Sequence, residues 1–247
     1  MSVAFILPGN VPVYSFSLLL GIGATLGLFW TARQSEAFAQ PDNINAGLWG
    51  LVGALIGSRA GFVLYQWPYF QAHFIEIPQV WLGGLFWPGA IIGSLLAIAL
   101  FAAVTHTAFG LLTDRLVPLA ISLSVSGWLA CWLEGCAYGP ESSAWYAIPA
   151  WDEWSVMGDR FPTQLLGALL TIGLYSLLQI LTPRLIDPGQ PTSTTLLGLG
   201  VINYGLTYLR ADPMLIWNGL RLDAWAGLGF ALLGLVSLIV IWARSRL

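Results

Sequence analysis

Residues 126 to 139 read SGWLACWLEGCAYG and hold both cysteines of the chain, Cys131 and Cys136, with Glu134 between them in an otherwise apolar run. On a regular helix, residues five apart are separated by roughly 140° of rotation, so the two thiols would not face each other. A break is needed before they can meet. Gly135 is a candidate, because glycine commonly ends a helix in the left-handed conformation. The pair reads in three ways: two small apolar packers, a disulfide on an oxidising outer side, or a reactive thiol. Two cysteines are too few for a four-cysteine zinc site, and no metal ligand set is assigned.

Arg59 and Glu134 are the other sharp signals, because an ionised residue at the centre of an apolar span costs at least about 2.5 to 3.5 kcal/mol on insertion scales. Arg59 sits in GALIGSRAGFVLY, where Gly57, Ser58, Ala60 and Gly61 allow close helix approach. An Arg59–Glu134 pair could lock the second span to the fourth. Alternatively, Tyr14, Arg59 and Glu134 could surround a polar cavity for a lipid headgroup. Arg210, in NYGLTYLRADP, is a third candidate for that cavity, or an arginine reaching the interface from a span end. The two histidines, His73 and His106, read as interfacial residues rather than bases.

These residues need elements to place them, and the composition says which. The 247 residues are 57% hydrophobic and 9% charged, against roughly a quarter charged in soluble domains. The class is an all-α integral membrane protein forming one polytopic domain over 1–247. Its nine basic residues are all arginine against twelve acids, which removes nucleic acid as a partner and leaves no polybasic tail for lipid. Seven apolar runs of spanning length cover about 13–31, 46–65, 84–105, 116–136, 162–182, 194–211 and 224–243. Continuous runs favour helices over a barrel. With the N-terminus outside, Arg33, Arg115, Arg184, Arg244 and Arg246 fall inside while Arg160 and Arg221 fall in outer loops, so the arginine bias predicts a cytoplasmic C-terminus. The first run has no basic segment before it, which predicts a retained span. The outer segment 137–161, rich in tryptophan and acids, suits interfacial anchoring or a lid.

The motifs GLWGLVGALIGSRAGFVLYQWPYF, VWLGGLFWPGAIIGS, SGWLACWLEGCAYG, RFPTQLLGALL and NYGLTYLRADP, with Tyr14 seven residues before Gly21, resemble the bacterial prolipoprotein diacylglyceryl transferase family in order and spacing. The resemblance implies a seven-span inner-membrane fold without metal or organic cofactor. It also implies phosphatidylglycerol as the lipid and a preprolipoprotein as acceptor, whose lipobox cysteine takes the diacylglyceryl group as glycerol phosphate leaves. Tyr14, Arg59, Glu134 and Arg210 then become catalytic candidates, and Gly127, Cys131, Gly139, Gln164 and Tyr204 substrate-binding ones.

The departures from the family pattern are specific. Where its signature reads G-R-x-G-N-F-x-N-G-E, this chain has Gly127 followed by Trp128, and the signature arginine is gone. The family's two motif histidines fall on Pro88 and Phe161. Thiol attack at a glyceryl carbon needs a base and positive donors on the departing phosphate, and tryptophan supplies one uncharged N–H. Pro88 also removes an amide donor near the start of the third span. Three functions therefore stand: a lipid-group transferase using Arg59 and Arg210, a silent member serving as an accessory subunit of a membrane complex, and a thiol-redox membrane protein.

Overall fold

The computed structural model describes residues 3–7, 11–34, 40–181 and 187–246; Arg184 and the end of the fifth expected span lie outside them. The chain begins with an antiparallel hairpin, β1 (Val3–Leu7) and β2 (Val11–Tyr14), which leads directly into α1 (Ser15–Gln34). There follow α2 (Gln40–Tyr65), the short α3 (Trp67–Phe70), α4 (Trp87–Thr105), α5 (Phe109–Arg115) and α6 (Val117–Glu134). A second hairpin, β3 (Ile148–Trp151) and β4 (Met157–Arg160), precedes α7 (Thr163–Leu181) and α8 (Gln190–Thr207). The third, β5 (Ile216–Trp217) and β6 (Leu220–Arg221), precedes α9 (Leu222–Arg244).

Among the described residues six helices, α1, α2, α4, α6, α7 and α9, are long and apolar enough to cross a bilayer. The sixth expected span is present as α8, but it starts four residues earlier, ends at Thr207 and is less apolar. Its first turns read QPTSTT, and Ser193, Thr194 and Thr195 return their hydroxyls to carbonyls four residues back, which lets polar side chains sit on a helix without solvent. The helices carry their large apolar residues outward: Leu64 is 72% exposed and Val104 70%. In water that surface would be untenable, and against acyl chains it is the lowest-cost arrangement.

The chain divides into two compact units, Thr31–Leu116 and Met1–Trp30 with Val117–Leu247. In the first, α2 and α4 run antiparallel in backbone contact. A Cβ on Gly93 would stand 2.1 Å from the Gly53 carbonyl oxygen, and one on Gly57 2.3 Å from that of Gly89. The small residues around Arg59 thus serve the close approach their spacing suggests. Pro88 lies in the first turn of α4, where no intrahelical donor is required, so it removes no ladder bond.

In the second unit, α6, α7, α8 and α9 pack as sequential neighbours. Gly200 lies against the Ala231 amide, where an added Cβ would come within 2.4 Å. Gly23 of α1 faces Ser126, Gly27 faces Leu119, and Ser122 Oγ donates to the Gly23 carbonyl at 2.8 Å, so α1 is antiparallel to α6. The unit therefore has one end where α1 and α9 begin and α6 and α8 finish.

Candidate functional site

At that end, α6 stops in a way that answers the cysteine question. Gly135 has φ of +73°, and the Cys136 amide donates to the Cys131 carbonyl at 3.0 Å. This six-to-one bond around a left-handed glycine is the Schellman cap, which brings the residue two past the helix over the residue three from its end. An apolar contact usually fills that position. Here it is a covalent bond, because Cys131 and Cys136 form a disulfide with Cα atoms 4.6 Å apart. Two expectations are corrected: the cysteines are not separate packers, and Cys131 offers no thiol to a substrate. The rotation that separates them on a regular helix does not apply once the cap turns the chain back.

Gln164, in the first turn of α7, is wholly buried, and its Nε2 donates to the Cys136 carbonyl at 3.0 Å. Its Oε1 has no partner. Gly139 lies under Phe161 and Thr163, where an added Cβ would meet the Phe161 carbonyl oxygen at 2.5 Å. Gly127 is different, since a Cβ there would meet nothing within 4 Å, so it is not a packing glycine. Thr163 Oγ1 donates to Leu209 O at 2.9 Å, and the Ala211 amide to Tyr138 O at 2.8 Å. These bonds join the 135–163 segment to the start of the α8–α9 connection. Tyr14 closes β2 opposite Val3 at the same end, and Tyr204 stands in the last turn of α8, where its hydroxyl accepts from Tyr208 at 2.9 Å.

Arg210 belongs to a closed charge network that sequence reading did not find. Its guanidinium pairs with Asp212 at 2.5 Å and Asp223 at 2.9 Å, and Arg221 pairs with the same two carboxylates at 3.3 and 3.2 Å. Burial alone would lower the Arg210 pKa; the hydrogen bond and charge of Asp212, then the charge of Asp223, outweigh it, and the net direction is upward. The signal was available in the spacing, since Arg-x-Asp occurs at 210–212 and again at 221–223. Asp223 is 1% exposed and also accepts the Ala224 amide. Asp223→Asn leaves two arginines sharing one carboxylate, and it is expected to cost about 3 kcal/mol. Thermal unfolding in detergent measures it, and an unchanged midpoint would show that the network adds no stability.

Arg160, expected in an outer loop, is buried. It pairs with Asp152 at 3.1 Å and Glu141 at 3.4 Å and stacks over the Tyr138 ring at 4.8 Å. Arg59 lies in the other unit and is equally engaged. Its Nε donates to Ile77 O at 2.7 Å, Nη1 to Gly83 O at 2.6 Å and Gly84 O at 3.3 Å, and Nη2 to Glu76 O at 2.5 Å. Phe70 and Phe62 flank the guanidinium at 5.2 and 5.8 Å. The arginine is the core of the 66–86 connection.

Trp128 lies flat on α7. A Cβ on Gly167 would meet the indole at 2.4 Å, and Ala137, Ala168 and Leu206 complete an apolar cluster around it. Gly127, Cys131 and Glu134 share the face of α6 set by their i, i+4, i+7 spacing. Of the sequence candidates, Tyr14, Cys131, Glu134, Gly139, Gln164, Tyr204 and Arg210 thus gather at one end of one unit, and Arg59 is in the other. Among the described residues no cluster of three or more His, Cys, Asp or Glu has the form of a metal site.

The comparisons with known proteins agree on one family. The family model for prolipoprotein diacylglyceryl transferase matches residues 2–240. The chain is 27% identical to a phosphatidylglycerol–prolipoprotein diacylglyceryl transferase of Neisseria meningitidis serogroup B, covering 94% of this chain and 92% of that one. It is 25% identical to the protein of that name from Geobacillus kaustophilus, covering 96% and 93%, and 29% identical to that of Bordetella avium, covering 80% and 76%.

Proposed function

Because this chain belongs to the prolipoprotein diacylglyceryl transferase family and is a multi-pass protein of the bacterial inner membrane, we propose that it holds a phosphatidylglycerol-type phospholipid without transferring its diacylglyceryl group to a protein thiol. The observation that carries this reading is the occupancy of its two candidate phosphate ligands. Arg59 spends four of its five donors on backbone carbonyls, and Arg210 faces two carboxylates. In the family reaction a cysteine sulfur bonds to the glyceryl carbon while the C–O bond to phosphate breaks, and negative charge gathers on the departing phosphate. That charge needs donors already aimed at it, and the thiol needs a group to take its proton. A guanidinium already matched by Asp212 and Asp223 has little field left for a phosphate, while Trp128, Pro88 and Phe161 stand where the family pattern has an arginine and two histidines. Tyr14, beside the start of α1, and Gln164, whose buried Oε1 has no partner, are polar groups suited to contacting a headgroup.

The test uses the full chain in vesicles containing phosphatidylglycerol together with a lipobox-cysteine peptide. Native mass spectrometry is expected to find phospholipid retained, and peptide mass spectrometry no diacylglyceryl addition. Addition of that mass to the peptide would overturn the loss of transfer, and a protein free of phospholipid after gentle extraction would overturn the lipid-holding role.

A further inference from the structure

The hairpin β3–β4 has an inverted distribution of polarity. At its turn the acids are engaged by the protein while the large apolar side chains face outward. Asp152 Oδ1 accepts the amides of Trp154 and Val156, each at 2.9 Å, and Oδ2 accepts from buried Arg160 at 3.1 Å. The Glu153 carboxylate accepts the hydroxyl of buried Tyr138. The Ser155 amide donates to the Asp152 carbonyl and the Asp152 amide to Val156 O, so the amides of Asp152, Trp154, Ser155 and Val156 are bonded within the turn. Trp154 is 79% exposed, and Trp151, Val156 and Met157 beside it are exposed too. A soluble hairpin would show the reverse arrangement, with its carboxylates in water.

The height of this hairpin is set by α6. Trp132, in the last turn of that helix, donates its indole N–H to Pro149 O at 3.2 Å. A Cβ on Gly135 would meet the Asp152 carbonyl oxygen at 2.3 Å. The strand and its turn therefore lie against the terminus of a membrane-spanning helix, at the level where hydrocarbon gives way to headgroups. Tryptophan is enriched at that depth because its ring is apolar and its N–H can reach polar groups. A turn with most of its amides bonded and its carboxylates hydrogen-bonded can enter there with few polar groups unsatisfied.

We infer that the 151–157 tip inserts into the lipid interface, anchoring the 137–161 segment to the bilayer surface. The surface is built for lipid headgroups and upper acyl chains. Of the two acids at the tip, Asp152 is paired with Arg160, and Glu153 is exposed and accepts the Tyr138 hydroxyl.

Neither native cysteine is free, so a thiol introduced at the tip is unique for labelling. Trp154→Cys and, separately, Met157→Cys carry an environment-sensitive fluorophore in the full chain, reconstituted in vesicles of phosphatidylglycerol and phosphatidylcholine brominated near the carbonyl end of the acyl chain. Ser143→Cys is the comparison, since Ser143 lines an open hollow with Glu141 and Asp159. The expected result is strong quenching by bromolipid at 154 and 157, with iodide quenching several-fold weaker than at 143. Free iodide access at both positions without bromolipid quenching would overturn the inference. Protection from both quenchers would also overturn it, by showing that protein covers the tip.

Discussion

Arg59→Leu is expected to release the 66–86 connection and lower stability by about 3 kcal/mol, because buried carbonyls left without donors cost about 1–3 kcal/mol each while removal of a buried charge returns part of that sum. The carbonyls concerned belong to Glu76, Ile77, Gly83 and Gly84, and they converge on one planar guanidinium between Phe62 and Phe70. The same geometry makes Arg59→Lys a poor replacement. An ammonium keeps the charge but cannot serve separated acceptors in one plane. Thermal unfolding in detergent, with limited proteolysis of the 66–86 segment, separates the outcomes. Unchanged melting and unchanged protection in the leucine variant would mean that the carbonyl cradle does not hold the connection, and would return Arg59 to the role of phosphate ligand.

Trp128→Arg, which reinstates the family's signature residue, is expected to destabilise the protein by about 4 kcal/mol and to restore no transfer. Trp128 is 8% exposed with apolar neighbours at Ala137, Ala168 and Leu206, and its ring occupies the space that glycine leaves at 167. Truncating or replacing a buried tryptophan commonly costs about 3–5 kcal/mol, and the incoming charge adds a desolvation cost. Proton transfer would still be unaided at Pro88 and Phe161, and losses within one catalytic unit are not repaired one residue at a time. The peptide mass assay and a melting curve read both effects. A stable Trp128→Arg protein that adds diacylglyceryl to the peptide would refute the packing account and the proposed silence together.

Class and architecture were open to sequence reading because hydropathy accumulates along the chain. A run of about 20 apolar residues is a span wherever it lies in space. Each expected run has its helix, and the one that departs most, α8, does so where threonine and serine return hydroxyls to their own backbone. Small residues around Arg59 were legible for the same local reason, and Gly135 was identifiable as a stop because only its own φ was at issue. The Arg-x-Asp repeats were visible too, but their significance was not, since nothing in the spacing says that residue 210 returns to residue 223.

Polar partners were decided by tertiary structure. A buried charge must be compensated, and sequence alone states that much. Arg59 illustrates the remainder, because its compensation comes from backbone carbonyls, a group every residue carries and no side-chain pattern marks. Arg160 was placed in an outer loop with no partner named, and the β3–β4 hairpin buries it over the Tyr138 ring and between two acids. The cysteines show the division most sharply. Their spacing and the glycine before Cys136 are sequence, whereas the return of the chain over Cys131 is geometry of the helix end, where rotation per residue no longer follows the helix.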